Sequence, residues 1–142
     1  MKIFSIVFFL ASVNAFACPN LAGNYTCKDP SGTMNMTITQ TEESGVTTYH
    51  EIINNNDTAY IADGVPRPYS VQTEDGQVVD GNLSTTCADP IVKIQFLADY
   101  NGSAIDYTDT LTMVGGVLQG NSTTTSNGSV VESYDYSCTL TE

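Results

Sequence analysis

Ile91-Val-Lys-Ile-Gln-Phe-Leu-Ala-Asp-Tyr100, then Asn101-Gly102-Ser103, then Ala104-Ile-Asp-Tyr-Thr-Asp-Thr-Leu-Thr-Met113 is the stretch whose reading decides the fold. Side chains on a strand point to alternate faces. Val92, Ile94, Phe96, Ala98 and Tyr100 therefore share one apolar face, and Ile105, Tyr107, Asp109, Leu111 and Met113 share another. Asn-Gly between two alternating runs is the strongest short-range hairpin signal, because a primed turn needs positive φ at both central residues. The stretch reads as two long antiparallel strands.

The same grammar continues on both sides. Met34 to Thr41 alternates, with Met34, Met36 and Ile38 on one face and Asn35, Thr37 and Thr39 on the other. Val46 to Ile53, Thr58 to Ala62, Tyr69 to Gln72 and Ser84 to Cys87 read as further strands. Turns are expected at Asp29-Pro-Ser-Gly32, Glu42-Glu-Ser-Gly45, Asn54 to Asp57, Glu74-Asp-Gly76 and Asp80-Gly-Asn82. Gly64-Val-Pro-Arg-Pro68 is excluded from a central strand, since two prolines remove ladder donors, and reads as an edge or a crossing loop. Gly115-Gly116 and Asn127-Gly128 join the last three strands. No window of useful length has helical periodicity. The chain is expected to be all-β, an antiparallel up-and-down meander of about eight to ten strands closing into a barrel, with a β-sandwich as the alternative.

The last three strands contain a conflict of register. A two-residue turn at Asn127-Gly128 sets Thr123 opposite Glu132, whereas one at Gly115-Gly116 sets Leu118 opposite Met113. These registers turn opposite faces of the middle strand to the core, so one hairpin must carry a bulge or a longer loop.

The ends bound the compartment. Lys2, the apolar run Ile3 to Val13 and Ala15-Phe16-Ala17 read as a secretory signal peptide over residues 1–17, too short to span a membrane as a helix. Residues 18–142 then form one domain. Its destination is extracellular or periplasmic, and Ala15-Phe16-Ala17-Cys18 departs from the pattern that directs a lipid anchor to Cys18. Four cysteines, at 18, 27, 87 and 138, read as two disulfides in such a compartment. If the first and last strands pair antiparallel and Cys18 belongs to the first, the pairing is Cys18–Cys138 and Cys27–Cys87. Seven Asn-x-Ser/Thr sequons, at Asn24, Asn35, Asn56, Asn82, Asn101, Asn121 and Asn127, would be glycosylation acceptors in a eukaryotic secretory route.

Sixteen acids against four basic residues give a net charge of −12, lowered one further unit by loss of Lys2. Such a surface repels nucleic acid and anionic membranes, keeps a protein soluble and monomeric, and suits a basic protein partner if any. No metal or other cofactor is expected: the cysteines lack the close spacing of a zinc site, and the Asp- and Asn-rich turns lack the alternating ligands of an EF-hand. Catalysis is not expected either. His50 is the one histidine, and alternation sets it on the opposite face from Glu51; Asp106 and Asp109 are likewise on opposite faces.

Gly23-Asn-Tyr25 on the first strand of this meander resembles the opening Gly-x-Trp of the calycin barrels, the lipocalins and avidins, with Tyr25 where that family carries tryptophan. Asp106-Tyr107 and Tyr134-Asp135-Tyr136 resemble the second lipocalin motif, Thr-Asp-Tyr. The resemblance implies a barrel closed at the Tyr25 end, with a ligand cavity above it.

The residues themselves single out acids in apolar rows: Asp109 among Ile105, Tyr107, Leu111 and Met113, and Glu132 among Val130, Tyr134, Tyr136, Cys138 and Leu140. A carboxylate aimed into a β-core must be hydrogen-bonded, paired or hydrated, or must orient a ligand. Asp109 and Glu132 are expected to face a common interior roughly 10 Å apart, two strand spacings. Tyr25, Met36, Phe96, Tyr107, Tyr134 and Tyr136 are expected to supply the wall, with Arg67 at the rim. The functional expectation is non-catalytic binding of a small, partly apolar ligand inside the barrel; the alternative is an inhibitor-like or adhesin-like interaction module with a filled core.

Overall fold

The computed structural model describes residues 17–73 and 75–141, so the expected leader lies outside the described residues except for Ala17. The strands are β1 (Gly23–Asp29), β2 (Gly32–Glu43), β3 (Val46–Ile53), β4 (Asn56–Ile61), β5 (Arg67–Gln72), β6 (Val78–Ala88), β7 (Ile91–Tyr100), β8 (Ser103–Val114), β9 (Val117–Ser126) and β10 (Ser129–Leu140). They form one antiparallel sheet in the order β4-β3-β2-β1-β10-β9-β8-β7-β6-β5, with no helix among the described residues. The two ends of the meander meet in the middle of the sheet, where Tyr25 lies opposite Leu140 and Cys27 opposite Cys138.

The sheet curls into a half-barrel in which the edge strand β4 comes up against β6, beside the other edge strand, β5. The segment 62–66 crosses from β4 to β5, and the Gly64 amide donates to the Thr85 carbonyl of β6 at 2.9 Å. Pro66 and Pro68 thus sit where no ladder donor is needed. Asn101 and Gly102 adopt φ of 54° and 79°, the left-handed pair that the Asn-Gly signal demands.

Two expectations are corrected here. Asp80-Gly81-Asn82 is no turn: β6 runs straight through it. A Cβ on Gly81 would meet the Leu97 carbonyl oxygen at 2.4 Å and the Phe96 ring at 2.6 Å, so this glycine serves close approach of the neighbouring strand. The disulfides are Cys18–Cys87 and Cys27–Cys138, not Cys18–Cys138 and Cys27–Cys87. The first and last strands do pair, but β1 begins only at Gly23, so Cys18 lies off the sheet. The register brings Cys27 directly opposite Cys138, and Cys18 reaches Cys87 on β6 with Cα atoms 5.2 Å apart.

The register conflict is resolved in the last hairpin, where a bulge falls between Val130 and Glu132. Beyond it Tyr136 lies opposite Gly120 and Cys138 opposite Leu118, so the inward faces of β8, β9 and β10 agree.

Residues 17–22 cross one end of the half-barrel and plug it. Leu21 is fully buried, and its amide donates to Gln40 Oε1 at 3.1 Å. The Tyr25 hydroxyl donates to the Leu21 carbonyl at 2.9 Å, and the Tyr49 hydroxyl to the Pro19 carbonyl at 2.8 Å. Burying a leucine contributes roughly 1.5–3 kcal/mol, and here it joins Ile38, Val92, Leu111, Leu118 and the Cys27–Cys138 bridge in one core. The opposite end, with turns at 29–32, 53–56, 100–103 and 126–129 and the connection from β5 to β6, is where the interior opens.

Candidate functional site

Above the plugged end the inward-facing residues change character. Glu51 on β3 and Asp109 on β8 stand five strand positions apart along the sheet, yet its curl brings both to one recess of about 140 Å³. Met34, Met36, Ile53, Tyr107, Ser122, Tyr134 and Tyr136 continue its wall, and a third acid, Asp29, stands at its rim. A second recess of about 360 Å³ lies on the β5–β8 side, lined by Val71, Val79, Leu83, Ile94, Phe96 and Ile105 among others and almost wholly apolar. Tyr107 lines both recesses, and Tyr60 lines the apolar one while donating to Glu51 Oε1 at 3.2 Å.

Tyrosines hold the acids. Tyr136 donates to Asp109 Oδ2 at 2.7 Å, and the Tyr107 and Ser122 hydroxyls share a hydrogen bond of 2.8 Å. Asp109 Oδ1 is buried without a partner. The cations do not help. The ion pairs among the described residues are Arg67–Asp63 and His50–Asp57, and Lys28 and Lys93 are exposed.

Electrostatics follow from that arrangement. Burial holds the Asp109 carboxyl above its ordinary value, against the hydrogen bond from Tyr136 and the pull of the nearby Thr110 amide. Burial raises Glu51 too, opposed by Tyr60 and reinforced by the charge of Asp109. The hydroxyls of Tyr60, Tyr107 and Tyr136 are pushed up by burial first and by the nearby carboxylates next, so they remain donors throughout the physiological range. The recess therefore combines negative charge, fixed hydroxyls and aromatic faces with no internal counter-ion.

Of the residues expected to line a ligand site, Met36, Tyr107, Asp109, Tyr134 and Tyr136 meet at the acid-lined recess and Phe96 lies in the apolar one. Tyr25 is buried beneath them in the core. Glu132 is corrected: it is exposed, because it sits beside the bulge at the open end of β10. The acid that faces Asp109 is Glu51. Arg67 is occupied at the seam, where its guanidinium forks onto Asp63 at 2.9 and 2.6 Å and holds that carboxyl well below the usual range. His50 is half-buried and lies 3.2 Å from Asp57.

Glu51 and Tyr60 escaped sequence reading for a physical reason. On β3 the inward face is Thr47, Tyr49, Glu51, Ile53 and the outward face Val46, Thr48, His50, Ile52, so neither is the more apolar. The signal that could have found Glu51 lies in Tyr49 and Ile53, its same-face neighbours.

Among the described residues no group of three or more His, Cys, Asp and Glu is placed to hold a metal ion. A hollow of about 610 Å³ on the outer face of β8–β10 is an open trough of mixed lining and lacks a buried charged group. No protein-family model and no curated protein sequence matches the chain.

Proposed function

We propose that this is a secreted, non-catalytic binding protein that holds a small, partly apolar ligand in the open half of its curled sheet. One observation carries the reading: a preformed apolar recess of about 360 Å³ that shares Tyr107 with a polar recess of about 140 Å³. Small-molecule sites are concave, mostly apolar and furnished with a few placed polar groups. An interaction module with a filled core would not need that space. The plugged end and the buried Tyr25 support the calycin-like reading of the shape. Two disulfides, typical of extracellular proteins, support secretion, and a Cys18 thiol engaged with Cys87 has no sulfur left for a thioether-linked lipid.

The test fills the apolar recess. Ile105→Trp places an indole in it from the half-buried mouth of β8. A neutral apolar fluorophore should bind the wild-type protein and lose roughly tenfold or more in affinity with this variant, while far-UV circular dichroism is unchanged. Unchanged affinity in the folded variant would overturn the reading.

A further inference from the structure

We propose that the acid-lined recess recognises an organic ammonium group, with Asp109 and Glu51 as its counter-ions and Tyr107, Tyr134 and Tyr136 as its aromatic wall. The ligand's apolar remainder extends past Tyr107 into the neighbouring recess. This inference rests on the reading that the interior binds a ligand, and it names the ligand's chemical class.

Two independent observations converge. The first is geometric: Glu51 and Asp109 come from opposite walls to the same small recess, and none of the basic side chains among the described residues reaches them. Two carboxylates in one desolvated space repel each other, and a cation between them relieves that repulsion. The second is the orphaned atom. Asp109 is more than nine-tenths buried, and its Oδ1 has no hydrogen-bond partner while its Oδ2 is satisfied by Tyr136. A buried carboxylate oxygen left unpaired in a native fold calls for a partner, and the Asp109 side chain that carries it is part of the recess wall.

The wall selects the type of cation. A strongly hydrated metal ion needs several oxygen ligands, and the recess does not gather three acids and histidines within reach of one point. An ammonium group needs fewer: it donates to a carboxylate and rests against tyrosine faces, whose ring quadrupoles attract it. Anionic ligands are excluded by the same two charges. The apolar recess beyond Tyr107 then favours an aryl-alkyl or alkyl amine over a small polar one.

The chain contains no tryptophan, so indole fluorescence reports ligand alone. The experiment titrates full-length secreted protein with tryptamine, phenethylamine and hexylamine, each beside its alcohol isostere, reading indole emission or heat. At neutral pH at least one amine should bind roughly tenfold tighter than its alcohol, and E51Q/D109N should shrink that advantage to within about threefold while alcohol binding persists. E51Q alone provides the same reading should the double variant not fold. Equal affinity of amines and alcohols for the wild type overturns the ammonium assignment but leaves interior binding standing. An amine advantage that survives in E51Q and in the double variant also overturns it, because the charge is then read elsewhere. If neither series binds and the neutral fluorophore does not bind either, both readings fall together.

Discussion

Tyr136 on β10 donates a hydrogen bond of 2.7 Å to Asp109 on β8 by laying its ring over Gly120 on the strand between them. A Cβ at Gly120 would lie 2.0 Å from that ring, so the glycine is what lets one strand's tyrosine reach the next strand but one. Gly120→Ala should force the ring away and destabilise by about 1–3 kcal/mol, as overpacking does. Tyr136→Phe keeps the ring and removes only the donor, and should cost about 1–2 kcal/mol at neutral pH. Urea unfolding monitored by circular dichroism checks both; a neutral Gly120→Ala would mean that the ring does not rest there.

How much of this was legible beforehand follows from where the chain's local rules are strong. The Ile91–Met113 hairpin, the one-sheet meander and the inward placement of Asp109 follow from alternation and turn chemistry, which act over a few residues. Asp80-Gly81-Asn82 misled because a glycine beside Asp and Asn has the composition of a turn, while its use here is room for Phe96 on another strand. Glu132 interrupts the apolar row Val130 to Leu140 and so reads as the second interior acid, but the bulge beside it turns it out to solvent. Glu51 arrives by the curl of the whole sheet, which no local pattern encodes.

The two interior carboxyls set a pH dependence whose sign is fixed. Both are held above their ordinary values of 4.5 for Glu51 and 3.8 for Asp109, first by burial. An acid raised by folding favours the native state fully below its unfolded value, and that contribution is lost as pH rises through the folded value. Asp109→Asn should therefore gain stability relative to wild type as the pH is taken from acid to neutral. The other titratable side chains facing the recess are Asp29, Glu51, Tyr107, Tyr134 and Tyr136. Asp29 sits at the rim with its carboxyl lowered by Ser31, so its contribution runs the opposite way. Paired urea melts at acid and neutral pH decide it; a gap that widens towards acid would contradict the burial of Asp109.

Non-reducing peptide mapping should recover Cys18 joined to Cys87 and Cys27 joined to Cys138. The second bridge spans a sequence separation of 111, for which the chain-entropy account gives about 4–5 kcal/mol. The variant Cys27→Ala/Cys138→Ala should lose that order of stability and remain foldable through Cys18–Cys87. A Cys18–Cys138 peptide would refute the register of β1 against β10.

His50 contacts the carboxylate of Asp57 at 3.2 Å, with both side chains reaching solvent. Such pairs contribute little. His50→Gln should leave stability within about 0.5 kcal/mol and ligand affinity unchanged. Loss of a hydrolytic activity in that variant would reopen the case for catalysis.

The pairing of β1 with β10 also governs the order in which the protein can be made. A chain emerging from the ribosome can build hairpins as it goes, β2 with β3 and β6 with β7. The middle of the sheet has to wait: β1 lacks its neighbour, and Cys27 its partner, until the residues around Cys138 have been synthesised. Contacts of such long sequence separation fold slowly. The seam between β1 and β10 is therefore the last part of the sheet that can close, after the hairpins on either side of it.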